Sequence, residues 1–299
     1  MNVPSFYSET VRALVEGRVW KAARALIGAD EALLREVADA AGNALSDRRE
    51  VLDLACELAF APPPPPQGID PRTRLLSLEI MGLLSAYVAL AVGKEGWREI
   101  APCLASLSGA ESPFRVREAA VVALTVIATD VFEESRSFWQ ESLTSADSAR
   151  AGAAVRALGA SGAPVLRVLD LFDAVIFDTR KAVRESIAQR ALEDLARRDA
   201  HAVYERLRRW IATRDEIARW TVARALQTAL GGMYVEDALE ILGVLAGDER
   251  PMVWHAAAGA LAEVAQRNPR RVLPEIARWR DDPERFRTAN RAFEVLAKR

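Results

Sequence analysis

One helix-forming phrase recurs down the second half of the chain, and it limits the fold more than any other feature. It reads AVRESIAQRAL at 182–192, EIARWTVARAL at 216–226 and MVWHAAAGAL at 252–261. An earlier echo, RVREAAVVAL, stands at 115–124 and a degraded one, RFRTANRAFEVL, at 285–296. The steps from Val183 to Ile217, Val253 and Phe286 are 34, 36 and 33 residues. A two-helix unit returning at this spacing cannot bury its apolar face alone, so neighbouring units must stack. Apolar positions step by a helical turn within each phrase: Val183, Ile187, Ala191 and Leu195; Val116, Ala120, Leu124 and Ile127; Val253, Ala257, Leu261 and Val264. These stripes are expected to pack on the adjacent unit, with small alanines allowing close approach. Segments 202–210, 235–245 and 269–279 read as the partner helices.

No alternating strand pattern appears, and the residues are 51% hydrophobic and 27% charged. That balance excludes a disordered chain and, with abundant alanine and leucine, predicts an all-α fold of about twelve to fourteen helices. Helices over 5–27, 30–41 and 46–60 form an N-terminal helical cap, 1–61. The proline run Ala61 to Pro66 opens a Pro-rich loop, 62–70, read as a stiff polyproline connector rather than a ligand for an aromatic groove. Residues 71–299 are expected to form one continuous repeat array. Asp70-Pro71, Ser112-Pro113, Asn268-Pro269 and Asp282-Pro283 look like N-caps followed by proline at the first helical position, with Asp248 similar ahead of Pro251. Gly231-Gly232 is expected to end the helix begun near Asp215, and Gly159 and Gly162 to break 149–170 into short pieces.

An acid stands six positions ahead of an arginine in three units: Glu111 before Val116-Arg117, Asp178 before Val183-Arg184, and Asp281 before Phe286-Arg287. With the unit length and the proline-marked starts, this resembles the HEAT-like (armadillo-type) helical repeat family over roughly 110–299, and over 1–109 by helical character only. The resemblance implies a right-handed α-solenoid of stacked antiparallel helix pairs, with acid and base pairing along the stack. Asp248 is followed at that distance by Trp254 and Asp215 by Thr221, which reads as a ladder broken in the middle.

No Gly-rich phosphate loop, GxSxG, HExxH or Cys/His cluster occurs, so no catalytic group, cofactor or metal is expected. His201 and His255 read as structural. The carboxylate pairs Glu133-Glu134, Asp281-Asp282 and Glu236-Asp237 fall at helix ends, where caps and the helix dipole explain them. Cys56 and Cys103 read as buried free thiols of a reducing cytoplasm. No secretory signal opens the sequence, and the apolar run 75–92 contains Glu79, Ser77 and Ser85, so a buried helix is expected and no membrane partner. Residues 1–179 hold 17 Lys/Arg against 24 Asp/Glu, a balance of −7; residues 180–299 hold 23 against 18, a balance of +5. The second half therefore hints at a basic surface.

The tryptophans sharpen the hint. Trp210, Trp279 and Trp254 read as core, whereas Trp220 falls on the flank away from Val222 and Leu226, with Arg224 one turn on. Aligning the phrases puts Arg190 in the place of Arg224, with Arg197 continuing that flank. Trp220, Arg224, Arg190 and Arg197 are thus the candidate partner-binding residues, suited to an acidic peptide or a phosphate backbone. The expected function is a non-enzymatic scaffold or adaptor that binds a protein or peptide on its concave face. The alternative is nucleic-acid binding: some bacterial HEAT-like proteins are DNA glycosylases for alkylated bases. Against it, the net charge is −2 and only Lys21, Lys94, Lys181 and Lys298 are lysines.

Overall fold

The computed structural model describes residues 3–45, 48–60, 64–92 and 96–298, and all regular structure among them is helical. Two compact units divide the chain, Met1–Ala157 and Leu158–Arg299. Nineteen α segments occur among the described residues, more than the sequence suggests, because several expected helices are cut by turns.

The first unit contains α1 (Val3–Val15), α2 (Val19–Ala25), α3 (Glu31–Ala44), α4 (Arg48–Phe60), α5 (Pro71–Val92), α6 (Trp97–Leu107), α7 (Phe114–Asp130), α8 (Arg136–Leu143) and most of α9 (Ser148–Ala160). The helix expected over 5–27 is broken after α1. Gly17 adopts φ +70°, its N–H donates to Leu14 O (3.0 Å) and the Arg18 N–H donates to Ala13 O (2.7 Å). That paired closure ends a helix and needs a residue that tolerates the left-handed conformation. The unit is organised around α5, which packs on α2, α3, α4 and α7. Among the described residues α5 is the helix long and apolar enough to cross a membrane, and most of its apolar stretch is buried against these neighbours. Its polar groups are satisfied there: Ser77 Oγ donates to Thr73 O (2.8 Å) and Ser85 Oγ to Ala55 O (2.6 Å). Residues 61–63 of the proline run lie outside the described residues. Pro64 to Pro66 carry no regular structure and lead through a turn at Gln67-Gly68 to Asp70.

The second unit contains α10 (Val165–Phe172), α11 (Lys181–Ser186), a π-helical turn (Ile187–Ala191), α12 (Leu192–Ala196) and α13 (Ala200–Ala212). It continues with α14 (Glu216–Ala225), α15 (Leu230–Met233), α16 (Val235–Ala246), α17 (Pro251–Arg267), α18 (Pro269–Arg280) and α19 (Phe286–Ala297). The phrase helices touch in succession: α14 packs on the π turn and on α17, and α17 packs on α19. The partner helix α13 packs on α10 and α16. The expected stripes are buried, Val183, Ile187, Ala191 and Leu195 completely, as are Val253, Ala257, Leu261 and Val264.

Three local expectations fail for identifiable reasons. Gly159 does not break a helix but lies inside α9, where an added Cβ would come 2.5 Å from Ala191 Cα; its missing side chain admits the π turn. Helix α14 ends at Ala225, and Gly231-Gly232 instead form the middle of α15. Of the proline-marked starts, Asp70 caps α5 by accepting the Thr73 N–H (3.0 Å). Helices α7 and α18, which follow Ser112-Pro113 and Asn268-Pro269, have no side-chain cap, and Asp282 accepts the Glu284 N–H (2.9 Å) in a turn that precedes α19.

Candidate functional site

The second unit is stitched by arginines. Arg206 on α13, only 5% exposed, pairs with Asp170 (2.8 Å) and Asp173 (2.5 Å), and Trp210 Nε1 donates to Asp173 Oδ1 (2.7 Å). Arg208, on the same helix, reaches Asp237 (2.5 Å) and Glu240 (2.7 Å) on α16, and Arg271 on α18 reaches Glu236 (2.5 Å). Asp248, which has no arginine six positions on, is answered by other arginines. Asp248, almost wholly buried, accepts from Arg219 (2.6 Å) and Arg250 (2.5 Å). Those two side chains in turn hold carbonyls at the end of α13 and in the turn after it: Arg219 Nε donates to Ile211 O (2.8 Å) and Arg250 to Arg214 O (2.6 Å). Arg214 is the residue forced to φ +60° there. Burial alone would raise the Asp248 carboxyl, but Arg250 and Arg219 hold it well below the usual carboxylate range. Asp178 repeats the pattern with Arg180 (2.5 Å). Many arginines of the second unit are thus engaged in internal pairs.

Against this background two aromatic stations stand out on consecutive phrase helices. On α14 Trp220 is half-buried, and the guanidiniums of Arg184 and Arg224 lie over its ring, at 4.7 and 5.9 Å from the centroid. Arg184 donates to Thr179 O (2.9 Å), while its buried Nε has no hydrogen-bond partner among the described residues. The indole face therefore carries part of its stabilisation. Arg224 is oriented by Gln227, whose Nε2 donates across to Ala256 O (2.9 Å) on α17. On α17 Trp254 is half-buried, His255 stacks on it (3.7 Å, 22°), and Arg287 of α19 lies 5.7 Å from its ring. Trp254 is therefore not the core residue the sequence suggests, and His255 is exposed rather than packed inside. Trp210 and Trp279 are buried.

Arg190 and Arg197 are placed differently from the expectation. Arg190 Nε stands 4.0 Å from Asp194, and Arg197 pairs with Glu193 and Asp194 of its own helix. Among the described residues the guanidiniums over Trp220 are those of Arg184 and Arg224. The physical reason lies in the π turn Ile187–Ala191. The turn contains Arg190 and precedes Arg197, so a residue-by-residue alignment with α14, which has no such turn, does not carry over to them. Arg184 precedes the turn. Its signal was present in the sequence as the residue after the first stripe position, the register shared by Arg184, Trp254 and Arg287.

Elsewhere the surface offers less chemistry. Helix α7 exposes Phe114, Val122 and Val126 along one face. No group of three or more His, Cys, Asp or Glu residues among those described could hold a metal ion. No protein-family model and no curated protein matches the chain. Among solved structures it is similar to a crystal structure described as an engineered protein, at 16% identity, covering 96% of this chain and 89% of that one with a TM-score of 0.32. A score that low carries no conclusion about either fold or function.

Proposed function

We propose that the protein is a non-enzymatic HEAT-like adaptor whose helix pairs stack as a right-handed α-solenoid and whose second unit binds an acidic peptide or protein segment on its phrase helices. One observation carries this reading: Trp220 and Trp254 are half-exposed on successive helices, each with arginine over its ring. An indole offers broad contact area at little entropic cost, and a guanidinium held beside it can take a carboxylate. The spacing of the two stations by one repeat suits an extended ligand that crosses helices. Many other arginines of this unit already face acids, whereas those over the two indoles make no such pair among the described residues, which suits a short acidic segment better than a long backbone-tracking groove. For that reason we favour an acidic polypeptide over nucleic acid.

The test is a fluorescence titration of the intact protein with peptides rich in Asp and Glu interspersed with apolar residues. Trp220→Ala with Arg184→Glu is expected to weaken the best binder at least about thirty-fold, the loss of a central aromatic anchor, with the far-ultraviolet circular dichroism unchanged. Equal binding by parent and variant would remove the site. Binding of duplex DNA that falls steeply as salt rises, with no peptide binding, would replace the ligand class.

A further inference from the structure

The two cysteines of the chain, 47 positions apart in sequence, meet in the first unit. Cys56 on α4 and Cys103 on α6 place their sulfurs 2.7 Å apart. That is inside ordinary non-bonded contact and approaches the roughly 2.05 Å of a covalent S–S bond. The two thiols are not equivalent. Cys103 is buried and donates its proton toward Glu99 O (3.6 Å), whereas Cys56 is partly exposed. Burial, and then the neighbouring Cys56 sulfur, push the Cys103 thiol above the ordinary thiol range. Both are free thiols, as read from the sequence, with Cys56 partly exposed; their meeting is what the sequence does not show.

We infer that Cys56 and Cys103 form a reversible intramolecular disulfide, in which Cys56 meets the oxidant and Cys103 resolves it, tying α4 to α6. The site does not depend on the peptide-binding reading and lies in the other unit. With a peroxide as oxidant the steps balance. The Cys56 thiolate attacks one peroxide oxygen, the O–O bond breaks, hydroxide leaves, and Cys56 becomes a sulfenic acid. The Cys103 sulfur then attacks the Cys56 sulfur, an S–S bond forms, the S–O bond breaks, and the Cys103 proton leaves with the hydroxyl as water. Two thiols lose two electrons and two protons in all, and the peroxide is reduced to two waters. A low-molecular-weight disulfide serves equally, with two of its thiols released. Closing α4 onto α6 encloses α5 and the proline connector between the bonded positions, so the unfolded chain loses freedom that the folded one never had.

The experiment treats the full-length protein with hydrogen peroxide under anaerobic control, then measures intact mass, denatured thiol titration and peptide mapping. The expected product is monomeric, lighter by two hydrogens, free of titratable thiol, linked Cys56 to Cys103, and restored by a dithiol reductant. Its thermal midpoint should rise on the order of 5–10 °C. In Cys103→Ser the sulfenic acid at Cys56 should persist long enough to be trapped by dimedone. In Cys56→Ser the buried Cys103 should stay reduced at the same dose. Two thiols still titratable after oxidation, a stable Cys56 oxyacid in the parent chain, or a cross-linked dimer would each overturn the assignment. So would oxidation of Cys103 in Cys56→Ser at that dose.

Discussion

The two units solve the same packing problem with different chemistry. In the first, a single 22-residue apolar helix, α5, is wrapped by α2, α3, α4 and α7, and the inter-helix ion pairs, such as Arg115 with Glu79 (3.4 Å, exposed) and Arg156 with Glu118 (2.6 Å, half-buried), are not enclosed. In the second, shorter amphipathic helices meet in succession, and charge is carried inside: Arg206 and Asp248 are buried and answered from neighbouring helices. Burying an apolar helix contributes stability with no geometric demand beyond fit. Burying charge gains little net energy but fails badly if one partner is removed. The second unit should therefore be the more specific and the more brittle of the two, and the first the more tolerant.

The largest expected break is Asp248→Ala, which leaves Arg219 and Arg250 without their anion and frees the turn at Arg214. It should destabilise the second unit by about 3–5 kcal/mol, read as a lowered urea midpoint and faster amide exchange in α14 and α17, with α3 to α5 unaffected. Protection lost equally in both units would end the contrast drawn above. The same residue sets an acid limit. Its folded pKa lies below the unfolded value of about 3.9, so its contribution is complete above about pH 4 and is lost as pH falls from there toward the folded value. Asp248→Asn should therefore lose less urea resistance between pH 6 and pH 3 than the parent does.

Close approaches give the next pair. Gly159→Ala pushes a methyl into Ala191 main chain, 2.5 Å away, and should cost about 1–3 kcal/mol by thermal unfolding. Gly82→Ala in the first unit meets only the Val116 side chain, 2.8 Å from its Cγ1, and should cost less, because a side chain can turn where a backbone cannot. Were Gly82→Ala the costlier, the first unit would be the rigid one. Smallest of all, Arg115→Ala should change stability by less than about 1 kcal/mol, the range of exposed pairs; a larger loss would show that surface charge does carry the first unit.

Much of this was legible in the residues. The recurring phrase announced α14, α17 and α19, and the buried stripe of α17, because a 3.6-residue apolar period leaves few alternatives. The partner helices were legible for the same reason: α13, α16 and α18 cover 202–210, 235–245 and 269–279. Arg190 and Arg197 stand beside Asp194 and Glu193 and not over Trp220, and the π turn next to them has no compositional mark. Trp254 was misassigned because a position next to a buried stripe is inside or outside depending on the neighbouring helix, which in this case presents Arg287.

By itself, then, the order of residues determined helical content, the unit of about thirty-five residues and the faces to be buried, since these follow from local periodicity and caps. Tertiary structure alone decided which arginine lies over which indole, which partners answer the buried Arg206 and Asp248, and that Cys56 meets Cys103. Those are long-range distances, and they depend on the rotation and offset of one helix against another, to which short-range preferences are blind.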